Sequence, residues 1–192
     1  MLRTLVRGPF ALLGALVVLA AAAPWARAQD TLWKTSDDAG VKALEAGRYA
    51  EAEKHFAAAL KIAEESPDQP ARLATSLNNL AALYKAQGDY AKAEPLHKRS
   101  LAIRQKALGP DHPSVATSLN NLAELYRTQG DYAKAEPLYN RSLVILEKAL
   151  GPDHPNVAAS LENLAGLYRA TKRGAQAEAL ERRAARIRAI KR

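Results

Sequence analysis

The sequence predicts an all-α superhelical solenoid of about four helical hairpins. Residues 73–114 and 115–156 are identical at 32 of 42 aligned positions, so the chain carries a tandem repeat. Each copy places apolar residues at i, i+3, i+4 and i+7, the spacing of one helix face. Alanine and leucine dominate a chain that is 48% apolar with no cysteine. That composition favours helix and excludes a disulfide scaffold, a thiolate metal site and a cysteine nucleophile.

The first segment lies outside the repeats. Arg3 and Arg7 precede the apolar run of residues 9–23, and Ala26-Arg27-Ala28 supplies a small-x-small pattern. Residues 1–28 are read as a secretory signal peptide cleaved after Ala28. An uncleaved membrane anchor is the alternative, although the run is shorter than the ~18–20 apolar residues of a comfortable span. Cleavage removes three arginines and no acid, so the formal charge falls from +8 to +5. No later segment is apolar enough to cross a bilayer.

Residues 29–44 are expected to form a degenerate capping helix, with Ser36, Ala39, Gly40 and Ala43 at its packing places. The array occupies residues 45–192, in units of about 31–69, 70–112, 113–154 and 155–192. The first unit is represented by EAGRYAEAEKHFAAALKIAEES, residues 45–66, at an offset of 41 rather than 42.

In the second unit Leu77, Leu80, Ala81 and Tyr84 give the first helix its buried face. Gln87-Gly88-Asp89 stops it: Gly88 suits a left-handed C-terminal position and Asp89 caps the next helix. Tyr90, Ala93, Leu96, Ser100, Leu101 and Ile103 form the stripe of the second helix. Leu108-Gly109-Pro110 ends it, and Pro113 opens the following helix in its first turn. The third unit repeats this grammar, and the fourth keeps its first half. Ala81, Ala123 and Ala165, and likewise Ala93, Ala135 and Ala177, allow close helix approach. Pro95 and Pro137 fall inside second helices and should bend them locally. One hairpin cannot bury its own apolar face, whereas stacked neighbours can.

The phrases LNNLAxLYxxQGDYxKAEPL and LGPDHPxVA resemble the tetratricopeptide repeat, in the 42-residue form of kinesin light chains and many bacterial proteins. The family's key places fall on Leu77, Leu80, Ala81, Tyr84 and Ala93 and on their copies. The family's usual tryptophan is leucine here. The resemblance covers roughly residues 45–190 and implies a binding scaffold whose concave side is lined by the first helices.

On that side Asn78, Asn120 and Glu162 are equivalent, then Asn79, Asn121 and Asn163, then Lys85, Arg127 and Arg169. Repeating amides can bond the backbone of an extended peptide, and three cations can hold its acidic side chains. The resemblance implies the same role for inner-face asparagines. The competing reading makes one asparagine of each pair a bond to a neighbouring helix and the cations merely solvated. Where a carboxylate-clamp subfamily carries lysines, this chain has Thr75, Thr117 and Ala159, which argues against capture of a free C-terminal carboxylate in that manner.

Asp111-His112-Pro113 and Asp153-His154-Pro155 are better read as helix caps than as metal ligands. His55 and His97 are expected to pack between helices. Arg182, Arg183, Arg186, Arg188, Lys191 and Arg192 surround Ile187 and Ile190 in a basic tail, read as a soluble capping helix rather than a membrane-surface or nucleic-acid element. Glu45, Glu51, Glu53, Glu64 and Glu65 are read as helix-surface charge. No nucleophile–base set, phosphate loop or metal cluster is present in the sequence, so no enzyme, cofactor or nucleic-acid role is expected. The expected function is capture of a protein or peptide segment, with acidic character suited to the cations, in the periplasm or outside the cell. Self-association within an envelope complex is the alternative.

Overall fold

The computed structural model describes residues 13–190, and among them are eight helices and no strand. They are α1 (Leu13–Glu45), α2 (Tyr49–Glu64), α3 (Pro70–Ala86), α4 (Tyr90–Leu108), α5 (Pro113–Thr128), α6 (Tyr132–Leu150), α7 (Pro155–Ala170) and α8 (Gly174–Ile190). Arg3, Arg7, Lys191 and Arg192 lie outside the described residues. No helix among the described residues is long and apolar enough to cross a membrane.

Helices pair in sequence order, α1 with α2 through α7 with α8, and each hairpin packs its second helix on the first helix of the next. The backbones of the odd-numbered helices also approach one another from hairpin to hairpin, whereas the even-numbered ones meet only through long side chains such as Arg99 with Glu64 and Arg183 with Glu147. The odd helices therefore occupy the tighter, inner side of the curve and line its concave face.

The sequence punctuation explains each boundary. Gly88 and Gly130 take φ of 79° and 78°. Each is followed by an aspartate, and Asp89 and Asp131 accept from the Lys92 and Lys134 backbone N–H at 3.2 Å. His112 and His154 cap α5 and α7, with Nδ1 accepting the Ser114 and Asn156 N–H at 3.1 Å. The Asp-His-Pro loops thus satisfy helix N-termini. Asp111 does a second job, accepting Lys148 Nζ at 2.9 Å across a hairpin boundary. Pro95 and Pro137 remain inside α4 and α6. The Ala91 and Ala133 carbonyls that lose a helical donor belong to exposed residues, so water can replace it.

The core runs between the hairpins. Ala81, Ala93, Ala123, Ala135 and Ala177 are fully buried and Ala165 nearly so, which gives the close approach expected of small residues. Phe56 fills the first hairpin against Gly40, where a Cβ would meet its ring at 2.5 Å. His97 is buried, as packing requires, whereas His55 is half-exposed and faces Glu51 at 3.9 Å.

Candidate peptide-binding groove

The asparagines of the odd helices form a ladder along the concave side. Asn79 Nδ2 donates to Asp37 Oδ1 at 2.9 Å, joining α3 to α1. Asn121 Nδ2 donates to Asn78 Oδ1 at 2.8 Å, joining α5 to α3. One rule generates both rungs: the second amide place of a repeat donates to the first place of the repeat before it, where α1 holds aspartate. The third rung would join Asn163 to Asn120. It is unmade: Asn163 is exposed, and the buried Asn120 Oδ1 has no donor.

The α3–α5 rung is reinforced from α4. His97 Nδ1 lies 3.2 Å from Asn78 Oδ1. That oxygen can only accept, so the proton sits on Nδ1, and Nε2 is left buried without a partner. Burial, with the nearby Lys85 charge adding to it, lowers the imidazole pKa to about 4. On the first rung, burial raises the Asp37 pKa and the Asn79 bond only partly counters it.

The three expected cations differ in their surroundings. Arg127 is held by Glu124 through two bonds of 2.8 Å, and Tyr139 donates to the same carboxylate at 2.8 Å. Burial pushes the Glu124 pKa up, but the Arg127 and Tyr139 bonds outweigh it and hold it below the usual range. Arg169 is held by Glu181 of α8 at 2.7 and 2.6 Å. Lys85 makes no ion pair among the described residues. The structure thus brings Asn78, Asn79 and Asn121 together as a bonded ladder. It leaves Lys85 and Asn163 free, and ties Arg127 and Arg169 to carboxylates.

Arg104 was not singled out from the sequence. It reaches from α4 to Ser118 Oγ at 3.0 Å, the Ser114 carbonyl at 3.1 Å and Thr75 Oγ1 at 3.4 Å. None of these partners is a carboxylate, and burial lowers its pKa. Neither Arg104 nor Lys85 makes an ion pair among the described residues, although Lys85 lies near enough to Glu124 of α5 to help lower its pKa.

The tetratricopeptide repeat family matches residues 72–148 and 126–189, well over half of the chain. The chain is a tetratricopeptide-repeat protein. BtubC (BKLC) from P. vanneervenii has a similar structure, with a TM-score of 0.73 and 30% identity, over 84% of this chain and 65% of that one. This chain therefore spans somewhat under two thirds of that relative's length. A Podosopora anserina putative kinesin light chain with nearly identical TPR-like repeats gives a TM-score of 0.65 at 25% identity, covering 83% of this chain and 76% of that one. The apo form of RapI shares the fold, with a TM-score of 0.70 at 18% identity, over 82% of this chain and 56% of that one. No curated protein sequence matches the chain. The tetratricopeptide fold generally mediates protein–protein interaction and is typically a non-enzymatic scaffold.

In this tetratricopeptide-repeat array a second periodic device was missed from the sequence. Tyr84 donates to Glu53 at 3.0 Å and Tyr126 to Glu94 at 2.9 Å, each reaching back to the second helix of the preceding hairpin. Lys92 and Lys134 sit 5.2 Å above those two rings. At the last junction Arg173 holds Glu136 at 2.9 and 2.7 Å and stacks 4.0 Å from the Tyr168 ring. Glu53 is thus part of an inter-hairpin clamp and not free surface charge. Its signal was the recurrence of Glu and Tyr in step with the repeat, with Lys92 and Lys134 beside them; at the last junction the lysine's place holds Gln176, and Arg173 acts from three residues earlier.

Proposed function

We propose that the concave side of the array holds an extended, acidic segment of a partner protein, and that it does so outside the cytoplasm. The observation that carries the binding reading is the uneven use of the odd-helix polar groups. Most are consumed by rungs and ion pairs, but Lys85 makes no ion pair of its own and only shares the field of Glu124, Asn163 is exposed, and Asn120 Oδ1 lacks a donor. A bound segment would supply the missing chemistry: a carboxylate for Lys85, and backbone groups for the Asn163 amide. Asn78, Asn79 and Asn121 then act as the frame that fixes the spacing, and Arg127 and Arg169 contribute only the donors their carboxylates leave unused.

The export reading is supported by where α1 begins to engage the rest of the chain. Its first described side chain bonded to another segment is Gln29, which accepts Ser66 Oγ–H at 3.0 Å, followed by Asp30 paired with Arg72. Trp25, Arg27 and Ala28 are exposed. Cleavage after Ala28 would therefore leave the described hydrogen bonds and ion pairs from α1 to later helices intact, and cost α1 only bonds of its own turn such as Thr31 Oγ1 to the Arg27 carbonyl.

End-to-end stacking is the less favoured reading. Where α6 presents Leu143 and Leu146, the matching places of α8 hold Ala185 and Arg188. The C-terminal end so lacks the apolar face that another repeat would need.

The test is affinity capture from envelope extract with the full chain as bait, compared with a Lys85→Glu/Asn163→Ala variant. Both residues are outside the core, so helical circular dichroism should be unchanged while capture is lost. A partner retained equally by the variant would move the binding surface elsewhere. Sequencing the N-terminus of the protein recovered from the periplasm or medium tests the export reading; a chain retaining Met1 in the cytoplasmic fraction would refute it.

A further inference from the structure

The first hairpin junction differs from the later ones by a defined omission. After the shared isoleucine, α4 continues Arg104-Gln105-Lys106-Ala107-Leu108 before Gly109, and α6 continues to Leu150 before Gly151. After Ile62, α2 has only Ala63-Glu64-Glu65 before Ser66. An Ala-Leu pair is missing, and α2 has 16 residues where α4 and α6 have 19.

A cleft of about 610 Å³ opens where that pair would lie, floored by Leu73 and Ile103 and rimmed by Arg99 and Lys106. At later junctions the equivalent places are closed. Val115 and Val157 are fully buried, and Ile145 and Ile187 are 3% and 2% exposed, whereas Leu73 and Ile103 stay half-buried. Leu150, the final leucine of α6, packs against the cluster containing Val157 and Ile187.

An ion pair is also missing from the same spot, although its acid is present. Lys148 pairs with Asp111 from the loop before it. Its counterpart Lys106 makes no ion pair among the described residues. The matching loop acid, Asp68, instead accepts from its neighbour Gln69 at 3.4 Å.

We infer that this cleft is a second docking site, separate from the concave side, for a partner peptide that carries a leucine-sized apolar side chain a few residues from a carboxylate. The later repeats suggest that chemistry in two pieces: Leu150 packs beside Val157 and Ile187 at the last junction, and Asp111 pairs with Lys148 at the junction before it, where Leu108 stays 42% exposed. The apolar side chain would cover Leu73 and Ile103, and the carboxylate would meet Lys106, with Arg99 beside it already sharing Glu64 at 3.3 Å. This inference does not depend on the concave-side reading, since no residue is shared between the two surfaces.

The test uses the repeat's own missing segment as probe. The blocked peptide acetyl-ALGPD-amide is titrated into the isotope-labelled full chain, and the Leu73 and Ile103 methyl signals and the Lys106 amide are followed. Saturable shifts confined to these residues are expected. The serine-for-leucine and asparagine-for-aspartate peptides should bind about tenfold more weakly, the scale of one buried leucine or one charge-assisted contact. Lys106→Glu should weaken the aspartate peptide about tenfold and leave the asparagine peptide unchanged. Absence of saturable shifts at Leu73 and Ile103, shifts centred on α3 and α5 of the concave side, or indifference to Lys106→Glu would each overturn the inference. So would contacts showing that the chain's own first twelve residues already fill the cleft.

Discussion

Asn121 of α5 donates its side-chain amide to Asn78 of α3 at 2.8 Å, and the same Asn78 oxygen receives His97 Nδ1 at 3.2 Å. One acceptor thus holds together two inner helices and one outer helix. Removing it strands two buried donors, which costs more than the loss of a single surface contact.

Asn78→Ala is therefore expected to destabilise the protein by about 2–3 kcal/mol, the cost of two unsatisfied buried groups. Asn163→Ala, at an exposed and unmade rung, should stay within about 0.5 kcal/mol of the parent. Urea unfolding followed by circular dichroism measures both. Equal, negligible effects would mean that the Asn78 amide serves a bound peptide and not the frame.

The hairpins, their boundaries and their caps were legible because each depends on residues a few positions apart: Gly88 before Asp89, His112 before Pro113, alanines at the close approaches. The ladder was only half legible. The asparagine pairs were visible, but which of each pair bonds which neighbour depends on the relative rotation of successive hairpins, and no local rule gives that. The clamp was missed for a related reason. Glu53 and Glu94 look like solvated helix charge until the tyrosine of the next hairpin is placed over them. Arg104 was overlooked because its equivalents are Ala63, Leu146 and Arg188, so periodicity gave no cue.

The clamp makes its own prediction. Tyr126→Phe keeps the ring under Lys134 and removes only the donor to Glu94. A loss of about 1–2 kcal/mol is expected, the range for a hydrogen bond to a charged group at a partly buried site. In a double-mutant cycle with Glu94→Gln the two effects should be non-additive, because they remove the same bond. Strict additivity would show that the tyrosine acts through packing alone.

Gly40 tests the first hairpin. A Cβ there would lie 2.5 Å from the ring of Phe56, which is fully buried and has no free direction to move. Gly40→Ala should cost about 1–3 kcal/mol through overpacking, despite alanine's better helix propensity. Trp33, whose indole N–H donates to Ser76 Oγ at 2.8 Å, reports on the same region. Its fluorescence should shift in the variant before the later hairpins unfold. A stabilised Gly40→Ala protein would mean that α1 and α2 can move apart.

The buried imidazole gives a pH dependence with a fixed sign. His97 has a pKa lowered from 6.5 to about 4, by burial and then by the Lys85 charge. The unfolded chain therefore takes up a proton first as the pH falls. Stability should be intact above about pH 6.5 and decline progressively towards pH 4, by up to about 3 kcal/mol for this one group. Carboxylates such as Glu124, whose pKa is held low, begin to contribute only at the acid end of that range. His97→Gln keeps a neutral donor for Asn78 but has no proton to gain. Its stability should be lower at pH 7.5, yet nearly flat between pH 6.5 and 4.5, so that the two unfolding curves converge on acidification. Parallel pH profiles for the parent and variant would show that His97 is already reached by solvent and contributes nothing to acid sensitivity.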